Sequence, residues 1–277
     1  MKINNQMVMD EEEVDSFLIQ VKDKYGYDFR GYTRASLYRR INRFLVQKKL
    51  EGIQELGQYI FQSEANFEFF VQELTVNVTE MFRDPSAFVA LRKKVLPLLS
   101  TYPYIKVWDS GCSTGEELYS LAILLEEENL LHRSKIYATD LNQKVLKKAK
   151  EGIVSAISIP QHTKNYYAAE GKNEFSNYYH SNYGQAKFRS ELLKNVIFSP
   201  HNLATDNSFN EFNLIVCRNV LIYFNRELQD RVFNLFYESL NPFGYMMLGK
   251  KETISLSAHN KRFEVIDREN RIYRKIS

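Results

Sequence analysis

Residues 105–127 read IKVWDSGCSTGEELYSLAILLEE. Residues 105–108 are apolar and short, as in a buried strand. Residues 109–115 form an acidic, glycine-containing turn, and 116–127 carry a helical pattern. Gly111 and Gly115 let the backbone turn tightly and let a ligand come close. The helix start offers N–H groups without intrahelical partners. In an open parallel sheet such a turn lies at the carboxyl ends of the strands, where ligands bind. A G-x-G-x-x-G fingerprint would seat a pyrophosphate. Here the glycines are followed by Glu116 and Glu117, which repel a diphosphate and suit a cationic or zwitterionic ligand. Taken alone, the stretch reads equally well as a structural turn with a charged helix start.

The same alternation continues downstream. KIYAT (135–139) is a second strand, followed by Asp140 and a helix that Gly152 stops. VIFSP (196–200), FNLIVC (212–217) and YMMLG (245–249) are further strands. Asn225 is placed to cap a helix over 226–240, which the Asn-Pro-Phe-Gly run at 241–244 ends. Residues 263–267 and 271–276 flank a polar turn, as in a hairpin. Strands alternating with helices give an α/β sheet, mostly parallel with an antiparallel edge. Residues 160–195 break the pattern: they are polar and rich in tyrosine and phenylalanine, and are expected to form a small inserted β-rich lobe. Residues 1–75 read as helices, over 10–21, from Thr33 as a cap, over 53–60 and over 64–74. In the second helix Leu37, Ile41, Phe44 and Leu45 fall on one stripe, with Arg39, Arg40 and Arg43 opposite.

The chain has 277 residues, with 37 Lys+Arg against 34 Asp+Glu. That balance is too even to argue for nucleic-acid or membrane binding. The two cysteines, Cys112 and Cys217, form no metal-ligand pattern and no disulfide framework, which fits a reducing compartment. No apolar run approaches the ~20 residues of a membrane span, and the polar, acidic start is unlike a signal peptide. No metal site and a cytoplasmic location are expected.

Three more segments carry chemistry. Asp140, at the end of the second strand, can accept bonds from both ribose hydroxyls of an adenosine; a helix-start acid is its plain alternative. The turn and Asp140 together argue for an adenosine ligand without a pyrophosphate, a description S-adenosylmethionine fits. CRNVLIYF (217–224) brings Arg218, Asn219 and Tyr223 to the end of another strand, although Tyr223 also reads as a core aromatic. NVTEMFRDP (77–85) lies between the helical and α/β regions. Asp84 and Pro85 there suit a helix start, and an ordinary linker is the alternative.

NVTEMFR, GCSTGEELYS, YATD, HNL and CRNVLIYF, in this order, resemble the CheR-type chemotaxis receptor methyltransferases over nearly the whole chain. The resemblance implies a class I S-adenosylmethionine-dependent methyltransferase sheet, Rossmann-like, with a helical N-terminal domain (1–75) and a methyltransferase domain (76–277) carrying the inserted lobe. It implies methylation of glutamate side chains on chemoreceptors, with S-adenosylhomocysteine as the other product. It assigns Asn77, Thr79, Arg83, Gly111, Glu116, Asp140, Asn202, Leu203, Arg218 and Asn219 to the cofactor. Tyr223 and Arg218 are assigned to orienting the incoming carboxylate, and Arg39, Arg40 and Arg43 to docking the acidic receptor helices. A monomer is expected.

Met81 and Leu118 depart from the family's usual Phe and Pro. Gly249-Lys250-Lys251-Glu252 stands where the family often has G-H-S-E, which bears on receptor choice. Two rival readings share the fold. A nucleic-acid methyltransferase of the amino-methylating kind would carry an N/D-P-P-Y/F motif where Arg218-Asn219-Val220-Leu221 stands. A non-catalytic adaptor would not need Asp140, Glu116 and the 217–223 segment intact.

Overall fold

The computed structural model describes residues 9–75 and 79–276. Four helices come first: α1 (Glu11–Tyr25), α2 (Arg34–Lys48), α3 (Ile53–Phe61) and α4 (Glu64–Leu74). Asp10 opens α1 by accepting from the Glu12 N–H at 3.1 Å, and Ser63 opens α4 by accepting from Asn66 at 3.2 Å. Thr33 occupies the cap position of α2 but makes no side-chain cap bond. The expected stripe of Leu37, Ile41, Phe44 and Leu45 is buried against Val14, Leu18, Leu56 and Phe70 in a core of its own.

Past residue 79, α5 (Pro85–Ala90) runs through a wider turn at Leu91–Val95 into α6 (Leu96–Leu99). The alternating part follows: β1 (Ile105–Ser110), α7 (Glu116–Glu127), β2 (Ser134–Asp140), α8 (Gln143–Glu151), β3 (Ile153–Ser155), α9 (Ile159–Ala168), β4 (Tyr179–Asn182), β5 (Gln185–Phe188), β6 (Val196–Pro200), β7 (Phe212–Cys217), α10 (Arg226–Ser239), β8 (Leu240–Leu248), β9 (Phe263–Asp267) and β10 (Ile272–Lys275). The main sheet has the order β6-β2-β1-β7-β8-β10-β9. Its first five strands pair in parallel, and β10 is antiparallel to both neighbours, as the polar turn at its start implied.

Both faces of the sheet are covered. Val107, Ile136, Ala138, Leu214 and Val216 pack under Leu118, Leu121, Ala122 and Leu125 of α7. Trp108, Ile215 and Met246 pack under Val232, Phe233 and Phe236 of α10. This two-sided burial explains why the strands read as continuous apolar runs. The chain leaves β1 toward β2 on one side and later reaches β7 on the other. A crevice therefore opens at the carboxyl ends of β1 and β7.

The inserted region differs from its expected outline. Its sheet, in the order β3-β5-β4, already begins at Ile153, and a helix, α9, occupies 159–168. Gly152 (φ 65°) turns the chain out of α8 so that Ile153–Ser155 pairs with β5. The aromatic residues of the region do structural work: Tyr166, Phe175, Tyr178 and Phe188 join the core on the α7 face, and the Tyr166 and Tyr178 hydroxyls both donate to Glu127. Residues 241–244 do not end α10, which stops at Ser239. They form the irregular start of β8, where its register against β7 slips.

Candidate functional site

Two backbone bonds build the first wall of the crevice. The N–H groups of Gly111 and Cys112 both donate to the Thr139 carbonyl, at 2.8 and 3.0 Å, and so fold the turn after β1 onto the end of β2. Gly111 has φ 83°, and a Cβ there would meet Val220 Cγ2 at 2.5 Å; glycine is needed on both counts. Asp140 closes the turn, accepting from Ser113 N at 3.0 Å and Asn142 N at 2.9 Å. His201 N donates to the Asp140 carbonyl at 3.2 Å, which brings Asn202 and Leu203 beside it.

These groups line a cavity together with Thr79, Arg83, Glu117, Arg218, Asn219 and Tyr223. The helical domain supplies the facing wall: Tyr32, Ser36, Arg40, Leu74 and Thr75. A β-bridge joins Tyr32 to Phe224, and Asn225 N donates to the Gly31 carbonyl at 2.7 Å. The cavity is therefore shared by both domains.

Most of the assigned residues come together: Thr79, Arg83, Gly111, Asp140, Asn202, Leu203, Arg218, Asn219 and Tyr223 all border the cavity. Asn77 lies outside the described residues. Three assignments change. Glu116 does not border the cavity, because its carboxylate turns back to accept from Thr114 Oγ1 at 2.6 Å. The neighbouring Glu117 lines the cavity instead. Arg218 does not hold its guanidinium out for a second carboxylate. It is buried, and it donates to Glu117 at 2.7 Å, Asp84 at 2.9 Å and the Arg83 carbonyl at 2.8 Å. It is a strut tying 83–84 to α7. Asp84 occupies the cap position before Pro85, as expected, at φ 55°, but with its carboxylate on Arg218 it makes no side-chain cap bond. Finally, the three arginines of α2 part company. Arg39 and Arg43 are exposed, whereas Arg40 is half-buried in the cavity wall, its guanidinium 5.5 Å from the centre of the Tyr223 ring.

Two carboxyls, Asp140 and Glu117, line the site. Burial pushes the carboxyls of Asp140 and Glu117 up, and at Glu117 the Arg218 guanidinium opposes that push. Asp109, fully buried on β1, is raised well above the usual range by burial and by the nearby charges of Glu117 and Asp140. Neither of its oxygens has a hydrogen-bond partner among the described residues. Arg40 also lines the cavity, beside Tyr223, whose hydroxyl is raised by burial and eased down by Arg40. Among the described residues no group of His, Cys, Asp and Glu could hold a metal ion, both cysteines are buried and free, and no helix is long and apolar enough to cross a membrane.

Little in the residue pattern points to Tyr32, Ser36 and Glu117. Ser36 is the polar residue beside the apolar stripe of α2, which is the one signal that this face meets something other than core. Glu117 differs from Glu116 only by the 100° step along a helix.

Comparison with known proteins bears on the same segments. The CheR methyltransferase SAM-binding domain matches residues 77–272, and the CheR methyltransferase all-alpha domain matches 12–75. Cher3 of Pseudomonas putida is 50% identical over 252 residues, covering 91% of this chain and 92% of that protein. A chemotaxis protein methyltransferase of Listeria monocytogenes is 32% identical over 236 residues, covering 84% of this chain and 87% of the relative. One of Salmonella typhimurium is 30% identical over 250 residues, covering 85% and 81%.

Proposed function

The chain belongs to the CheR methyltransferase family, and from that premise we propose that it methylates glutamate side chains on chemoreceptor cytoplasmic helices, forming methyl esters. S-adenosylmethionine is the cofactor; bound, it supplies an electrophilic methyl group on a sulfonium. The observation that carries the reading is the lining of one cavity. It holds Asp140 and Glu117, which suit a cationic adenosyl compound, and Arg40 beside Tyr223, which suit an arriving carboxylate.

In this reading Asp140 holds the ribose hydroxyls, and Asn202 and Leu203 flank the adenine. Glu117, rather than Glu116, takes the ammonium of the methionine part, and Arg83 takes its carboxylate. Gly111 keeps the backbone close, Thr79 and Asn219 complete the wall, and Asn77 is carried as a cofactor contact by the resemblance alone. Arg218 contributes by fixing Glu117 and the 83–84 segment. Tyr223 orients the incoming carboxylate, with Arg40 behind it, and Arg39 and Arg43 dock the acidic receptor surface. A glutamate with a pKa near ~4.3 is already ionised at neutral pH, so no general base is required. Positioning and exclusion of water supply the rate. The two-domain division at 75–76, a monomeric state and action in the cytoplasm belong to the same proposal.

The test is direct. The protein is incubated with methyl-labelled S-adenosylmethionine and membranes from its own source, and bound label is treated with mild alkali. Release as methanol is the expected result, since carboxyl esters are alkali-labile. Alkali-stable label would mean a different acceptor atom and would overturn the glutamate assignment.

A further inference from the structure

We propose that Glu252 is a positioning residue for methyl transfer: its carboxylate holds the 219–222 loop in the arrangement that presents Asn219 and Tyr223 to the cavity. The proposal rests on the methyltransferase reading above. Glu252 follows β8 and is buried, with 4% of its surface exposed. Its Oε2 accepts from the N–H groups of Gly249 at 2.6 Å and Asn219 at 3.0 Å. Its Oε1 accepts from Leu221 at 2.7 Å and Ile222 at 3.3 Å. Every partner is a donor, so the ionised carboxylate satisfies all four. An amide or a protonated acid would set a donor against a donor.

The loop has reason to need this anchor. Asn219 sits at φ 63°, in the region that disfavours side chains, and lines the cavity. Leu221 and Ile222 open a short 3₁₀ turn, Leu221–Tyr223, whose first N–H groups have no partner within the turn. Glu252 supplies that partner from outside. The approach is close enough to demand glycine at 249, where a Cβ would meet Glu252 Oε2 at 2.8 Å and Asn219 N at 2.9 Å. Glu252 itself does not line the cavity, so it acts through the loop. Its neighbours Lys250 and Lys251 are exposed, which separates the buried anchor from the surface of the same segment.

Glu252→Gln tests the proposal on the full chain, because it keeps the volume and leaves an acceptor for only one pair of N–H groups. Amide exchange, S-adenosylhomocysteine affinity and receptor methylation are measured on the wild type and the variant. The expected result is at least tenfold faster exchange at 219–222 with β1 and β2 still protected. With it goes a fall in kcat of at least tenfold, larger than the rise in the S-adenosylhomocysteine Kd. A folded variant with kcat within twofold of wild type would overturn the proposal, as would protection lost evenly across the sheet, which marks general destabilisation. If the Gln variant does not fold, Gly249→Ala displaces the carboxylate without removing it, and the same outcomes decide. Failure of the parent reading is separately visible: a wild type that binds S-adenosylhomocysteine but methylates no receptor defeats it and takes this assignment with it.

Discussion

The backbone N–H of Thr33 donates to the carbonyl of Tyr223 at 2.8 Å. A residue at the start of α2 thus holds the residue proposed to meet the substrate carboxylate. Tyr32 beside it packs edge-on against Phe224, ring centres 5.1 Å apart. The helix that carries Arg39 and Arg43 is thereby tied to Tyr223, so the proposed docking face and the proposed transfer site share one connection.

Asp140→Asn should weaken S-adenosylhomocysteine binding by at least about tenfold, the loss of a charge-assisted bond of roughly 1.5–3 kcal/mol. The amide oxygen can still accept from one of Ser113 and Asn142, so the fold should survive. Titration calorimetry and circular dichroism check both halves. Unchanged affinity would remove Asp140 from the cofactor wall.

Tyr223→Phe should lower kcat about tenfold or more while leaving S-adenosylhomocysteine affinity within twofold, because a hydrogen bond to an ionised carboxylate is lost only when substrate is present. Initial rates of receptor methylation give the first number and calorimetry the second. Full turnover in the variant would end the assignment.

Arg39→Glu with Arg43→Glu should raise KM for receptor and make it less sensitive to salt, with kcat and cofactor affinity little changed, since both arginines are exposed. Arg40→Ala should instead lower kcat, because Arg40 lies at the Tyr223 ring. Steady-state rates across a salt series separate the two. Identical behaviour of the two variants would mean that the three arginines form one docking face after all.

Asp109 gives a pH dependence. Unfolded, it ionises near pH ~3.9; folded, burial first and then Glu117 and Asp140 hold its proton on to a higher pH. Between those values the folded chain binds more protons, so the associated stability is complete below about pH 3.9 and is lost as pH rises through the folded value. Asp109→Asn removes that loss. It should melt higher than wild type at neutral and alkaline pH, by a margin that grows with pH and shrinks in acid, each kcal/mol reading as roughly 2 °C. A margin that does not change with pH would show that the wild-type group does not titrate as its burial requires.

What could be read from the residues follows what is local. The strand-turn-helix at 105–127, the apolar stripe of α2 and the cap at Asn225, which accepts from Leu228 N at 2.9 Å, all depend on near neighbours, and all are found. Where the reading went astray, a partner distant in sequence had prevailed. Asp84 does stand at the cap position before Pro85, but Arg218 claims its carboxylate, so no side-chain cap bond forms. Arg40 looks like its exposed neighbours until the second domain closes over that side of α2. Tyr32 carries no local signal at all, since its role exists only once Phe224 lies against it. Of the 249–252 segment only the place in the motif was legible; three of the four donors to Glu252 lie 30–33 residues earlier, at 219–222, where sequence spacing does not bring them together.

The Tyr32–Phe224 bridge also fixes an order of events as the chain is made. The helical domain has its own core and can form once its four helices have emerged. Its wall of the cavity then waits, solvated, while most of the sheet is synthesised, because the contact that seats it spans the greater part of the sequence and bears the loop-closure cost of doing so. Cofactor affinity should therefore arise late in synthesis and abruptly, after residue 224 has left the ribosome.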